Sequence, residues 1–153
     1  MNRYKSYEDE GLSFSKKIFL LLFVVLYPMF VSMYTMLPPL IGLVGYVLIT
    51  NFDKNKFYVF SALFYLLNLD LNLTLPLFIS ILVTVLIYMF IYSPLTRLIR
   101  CRVCLLFALI AIIDFSYYIT LFIYDVTFNT TTVLGDMLLI YYIVVDIFIG
   151  VLL

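Results

Sequence analysis

The chain has 153 residues, of which 66% are hydrophobic, 19% aromatic and only 12% charged, and its mean hydropathy is +1.19. A soluble domain holds roughly 45–50% apolar residues, so an ordinary water-soluble globule is excluded and lipid is the solvent that fits. Nine Lys plus Arg balance nine Asp plus Glu, so no net field points to nucleic acid or an acidic substrate. The expected class is all-α, a polytopic membrane bundle of about six transmembrane helices.

Residues 1–17 mix both charge signs and read as a cytoplasmic tail; residues 18–153 read as one transmembrane domain. The apolar run from Ile18 to Leu37 is long enough to span and is expected to stay as a helix rather than be cleaved as a signal. No charge occurs from Ile18 to Thr50, 33 residues, too long for one upright span. Pro38-Pro39 removes two backbone donors there and predicts a tight hairpin with a short second arm, Leu40 to Thr50.

After the polar Asn51 to Lys56, apolar arms are expected over Phe57–Leu69 and Leu77–Tyr92. Between them Asn68 to Pro76 alternates Leu with Asn, Asp and Thr in a strand-like period of two. An open strand cannot face lipid, so a surface turn or a loop buried against protein is expected there. Val103–Tyr124 is a span of ordinary length, Asp125 to Thr132 is polar, and Val133–Leu153 is the last span.

The basic residues orient this arrangement. Arg3, Lys5, Lys16 and Lys17 lie in the tail, Lys54 and Lys56 in the second loop, and Arg97, Arg100 and Arg102 in the fourth; the intervening loops hold none. With six spans all nine fall on one side, so the positive-inside rule puts both termini in the cytoplasm. The three arginines form a basic cytoplasmic face suited to anionic lipid head groups.

Few residues can carry chemistry. Asp114 and Asp146 fall inside spans, at roughly 2.5–3.5 kcal/mol each on insertion scales. No span contains a Lys or Arg to pair with them. Each is therefore a neutral acid hydrogen-bonded to a neighbour or a carboxylate paired with another protein's cation. Tyr118, four residues after Asp114, and Tyr142, four before Asp146, could supply a hydroxyl. An interhelical bond that fixes packing, a partner contact, and a proton or ion path are the three readings, packing first.

Asp136 is expected in the first turn of its helix behind the capping hydroxyl of Thr132. Cys101 and Cys104 form a lone C-x-x-C that, with no His in the chain, cannot complete a zinc site; free thiols are expected. Asn72-Leu-Thr74 and Asn129-Thr-Thr131 match the glycosylation pattern on the non-cytoplasmic side. The Leu-, Ile-, Phe- and Asn-rich, Ala-poor composition points to a bacterial source, where such matches are chance. No phosphate loop, nucleophile elbow, metal motif or paired intramembrane catalytic carboxylates is visible, so no enzyme, cofactor or metal is expected.

Met36–Ile49 (MLPPLIGLVGYVLI), Ala62–Leu82 (ALFYLLNLDLNLTLPLFISIL) and Leu105–Ile123 (LLFALIAIIDFSYYITLFI) resemble, in order and spacing, segments of the MreD family of small membrane components of the bacterial rod-shape machinery. Asp70 matches an Asp near the end of that family's central helix, and Asp114 an acidic residue of the later span. Asn72 and Thr74 stand where the family usually has small Gly and Ser. The resemblance implies a noncatalytic scaffold of the inner membrane that binds MreC and helps position peptidoglycan synthesis enzymes. The alternative is a substrate-binding membrane subunit of a vitamin transporter, since six short helices with a kinked hairpin also resemble those subunits. They dock through small residues, typically Ala, four apart on the first helix, and residues 1–61 contain no Ala.

Overall fold

The computed structural model describes residues 14–34, 36–52, 54–73, 76–129 and 138–152. All regular structure among them is helical. Helix α1 spans Phe14–Met33, α2 Ile41–Asn51, α3 Lys56–Asn72 and α4 Ile79–Ile87. A π-helical turn, Tyr88–Tyr92, carries α4 without a break into α5, Ser93–Leu98. Pro94 cannot donate to the carbonyl one turn back, and the backbone before it widens to the π pitch. Helix α6 spans Arg102–Phe128 and α7 Leu138–Leu152.

These elements fall on the expected apolar arms, and three run on past them: α5 carries the arm expected to end at Tyr92 on to Leu98, α6 continues beyond Tyr124 to Phe128, and α3 continues beyond Leu69. The first part of the alternating stretch that reads as a turn or loop, residues 68–72, is instead the end of α3, which stays helical through Asn72. Its polar side chains find partners without leaving the helix. Asn72 Nδ2 donates to the Asn68 carbonyl at 2.7 Å, and Asn68 Nδ2 donates across to α1, to the carbonyls of Val24 and Val25 at 3.3 and 3.1 Å.

Two helices are long and apolar enough to cross a membrane, Ile79–Leu98 and Val103–Phe128. Helix α2, with 11 residues, is only ~16 Å long, about half the ~30 Å hydrocarbon layer. The tail cations Arg3 and Lys5, the Thr132–Asp136 cap and the side chains of Lys16 and Arg102 lie outside the described residues.

Helix α2 is the centre of the bundle. It packs on α3, α6, α7 and α4, while α1 packs chiefly on α3. Close approach requires its glycines: a Cβ on Gly45 would sit 3.1 Å from two Ile113 carbons, the small-residue contact that helices in lipid use. Leu48, Leu66, Leu69, Leu109, Ile110 and Ile113 form the core. Outside it, Phe19, Phe60, Phe90, Phe122 and Phe148 are exposed, each more than half accessible. Helices apolar on both faces need a nonaqueous surrounding.

Candidate functional site

The Pro38-Pro39 break leads into Leu40, which holds a left-handed backbone, φ 52° and ψ 31°. This conformation is uncommon for a non-glycine residue. It persists because Leu40 is buried with Leu43 and Ile110. Carbonyls freed by the break are taken by two tyrosines, Tyr27 of α1 donating to Pro38 O at 2.9 Å and Tyr65 of α3 to Pro39 O at 2.8 Å. Thus α1 and α3 hold the point at which α2 begins.

A helix start exposes N–H groups that have no partner within the helix, and Leu40 has no side-chain oxygen to cap them. The caps come from distant elements. Leu43 N donates to Asp146 Oδ2 of α7 at 3.3 Å, and Gly42 packs against the Asp114 carboxylate of α6. Gly42 is required by space: a Cβ there would lie 2.6 Å from both Asp114 carboxylate oxygens. Asp114 is twelve residues from the start of α6 and fourteen from its end, ~18 and ~21 Å along the axis. The start of α2 therefore meets two acids near mid-height of the longest helix. Asp146 is 1% exposed, and the two carboxylates act on each other electrostatically.

The second hairpin repeats the design. Pro76 is followed two residues later by left-handed Phe78, φ 72°, then Ile79 and Ser80, in the spacing of Pro38, Leu40, Ile41 and Gly42. Here Asp70 of α3, fully buried, accepts from Ser80 N at 3.2 Å and from the Ser80 hydroxyl. Thr84 Oγ1 donates to Ser80 O at 2.8 Å. The buried Tyr117 hydroxyl of α6 lies against Ser80 and feels the Asp70 charge, but completes no hydrogen bond with a described residue.

Of the residues singled out in the sequence, Asp114 and Asp146 come together and Asp70 serves the other helix start. In the sequence the two acids stand 32 residues apart with nothing to mark them as a pair. The structure pairs them. Tyr118 does not supply the expected hydroxyl to Asp114, whose neighbours are Gly42 and Asp146; Tyr142 is half-buried on α7. Tyr27, Tyr65, Gly42 and Ser80 escape a reading of the sequence, although a Gly four residues into the Pro-Pro turn is a legible sign of close approach; Tyr117, legible there as an aromatic anchor for a partner, is instead buried against Ser80.

At the opposite end, Lys17 Nζ lies 5.6 Å from the centre of the Phe57 ring, tying the start of α1 to that of α3. Arg97, in the last turn of α5, and Arg100, between α5 and α6, are exposed. Cys101 and Cys104 are free thiols. Cys101 caps α6, accepting from Cys104 N at 3.5 Å; hydrogen bonds from the Cys104 side chain and then its N–H draw the exposed Cys101 thiol below the usual range. No group of three potential metal ligands occurs among the described residues. No protein-family model, curated protein or solved structure matches this chain.

Proposed function

We propose that the chain is a six-span protein of the bacterial inner membrane, with both termini cytoplasmic, that works as a noncatalytic scaffold holding other membrane proteins. The observation that carries this reading is how its polar groups are used. Asp70, Asp114 and Asp146 meet the N–H groups of helix starts, Asn68 and Tyr27 bind backbone carbonyls, and the outward faces of α1, α6 and α7 remain apolar and aromatic. The polar chemistry is directed inward, to joining helices, and the outer surface suits lipid and other helices.

The half-length of α2 agrees with a membrane setting. A helix beginning inside the hydrocarbon layer is tolerated only where protein satisfies its free backbone groups, and the two aspartates and two tyrosines do so. Five basic side chains, Lys17, Lys54, Lys56, Arg97 and Arg100, belong to the ends assigned to the cytoplasm. Interhelical polar contacts in lipid contribute about 1–2 kcal/mol each at most, so partner binding would rest mainly on aromatic anchors such as the exposed Tyr141.

With the MreD resemblance, the partner class is an MreC-like shape protein and, through it, the peptidoglycan synthesis enzymes. Depleting the protein in a rod-shaped bacterial host should give rounded, widened cells, and pull-down in mild detergent should recover the MreC-like partner. Normal cell shape with a vitamin retained through purification would overturn the scaffold reading in favour of a transporter subunit.

A further inference from the structure

Three polar atoms among the described residues are buried without a hydrogen-bond partner: Asp114 Oδ2, Asp146 Oδ1 and the Tyr117 hydroxyl. Two of the three belong to the pair at the start of α2. Buried polar atoms are nearly always satisfied, so an orphan pair of this kind asks for a ligand.

The charges around the pair show which ligand. From α1 and α3 the groups that feel Asp146 are Tyr27 and Tyr65, and Tyr141 of α7 acts on Tyr27. From α2 the pair receives the Leu43 N–H, with Gly42 packed against the Asp114 carboxylate. None of these groups is a cation. A helix start supplies about half a positive unit charge, which offsets part of one carboxylate and none of a second. Two adjacent buried anions repel each other and lose much of their hydration. One further positive charge must reside there. A hard metal cation needs about six or more oxygen ligands, whereas the pair presents two free oxygens. A proton needs no more than that.

We propose that Asp114 and Asp146 form a proton-binding site in the centre of the bundle, carrying one proton on their free oxygens Asp114 Oδ2 and Asp146 Oδ1 while the start of α2 offsets the remaining negative charge. Binding converts one carboxylate to the acid with a proton taken from water, and release returns it. The site is built from five elements: α6 and α7 supply the acids, α2 the donors, and α1 with α3 the tyrosines that hold the Pro38-Pro39 turn. It stands apart from the scaffold reading, and either can fail without the other.

The test uses the full chain in lipid vesicles, followed by infrared spectroscopy in light and heavy water and by labelling with dicyclohexylcarbodiimide, which attacks protonated carboxyls in apolar surroundings. The wild type is expected to show a protonated-carboxyl band and a label on Asp114 or Asp146 at a pH where exposed aspartates are fully ionised. Either Asp114→Asn or Asp146→Asn should remove both signals, because the α2 start and the Leu43 N–H then face one carboxylate instead of two and the repulsion that holds the shared proton is gone. Asp70→Asn should leave them in place. Absence of the band in the wild type, which requires no variant to fold, would overturn the proposal. So would its persistence in both single variants, or protection from the label by sodium at constant pH, which would make the ligand a metal ion.

Discussion

Asn68 stands opposite Pro28, and its side chain does what the proline cannot. Pro28 lies inside α1 and has no N–H to give to the carbonyl of Val24, four residues back. Asn68 Nδ2 of α3 donates to that carbonyl at 3.3 Å and to Val25 O at 3.1 Å. The interrupted ladder of α1 is thereby completed from its neighbour, and α1 is keyed to α3 at one register. Asn68→Leu should lower stability by about 1 kcal/mol, the scale of interhelical hydrogen bonds in lipid. In a Pro28→Ala background, which restores the missing backbone donor, the same change should cost less. Unfolding by denaturing detergent, run as a double-mutant cycle, measures the difference.

Gly42 and Asp114 form a second coupled pair. Gly42→Ala would set a methyl 2.6 Å from both carboxylate oxygens, closer than side chains tolerate, and is expected to destabilise by about 1–3 kcal/mol as an overpacked site. Asp114→Ala clears that space, so the double variant should lose less than the sum of the singles. Gly150→Ala meets the flexible end of Ile110 at 2.8 Å and should be milder. Thermal stability in one detergent ranks the four variants.

The orientation is open to labelling. In a Cys101→Ser, Cys104→Ser background, single cysteines at Lys17, Lys54 and Arg100 should react with an impermeant thiol reagent only after the membrane is opened, and cysteines at Asn72 and Asn129 in intact cells. Reaction of position 54 from outside intact cells would sink both the six-span count and the orientation.

The Cys101 thiol, just ahead of α6, gives a pH-dependent readout. Hydrogen bonds from Cys104 hold the Cys101 thiol below its usual range, so at neutral pH more of it is thiolate than in an ordinary exposed cysteine. Its alkylation should therefore begin at lower pH than that of a free thiol standard. Cys104→Ser replaces the side-chain donor, and Cys104→Ala, which removes it, should move the onset of alkylation upward. Mass spectrometry of the alkylated peptide follows both.

The approximate positions of the helices were legible in the sequence because each is predominantly apolar, and the breaks carry their own causes: Pro38-Pro39, the charged Asn51 to Lys56, and the arginines around Cys101. The end of α3 was not legible. The alternation of Leu with Asn68, Asp70 and Asn72 mimics a strand, and a one-dimensional pattern cannot tell that Asn68 will bond α1 and Asp70 will bond Ser80. Tertiary partners removed the reason for those polar residues to leave the helix.

Composition and periodicity alone determined that the described residues are helical and suited to an apolar surrounding, because both follow from the solvation of individual side chains. Only the tertiary structure decided what the acids do. Asp114 and Asp146 are 32 residues apart on different helices, and each reads as isolated until α2 inserts its start between them. Pairing depends on the left-handed turn at Leu40 and the missing Cβ of Gly42. Those are matters of shape and close contact, which bring distant residues together through packing rather than through any local sequence preference.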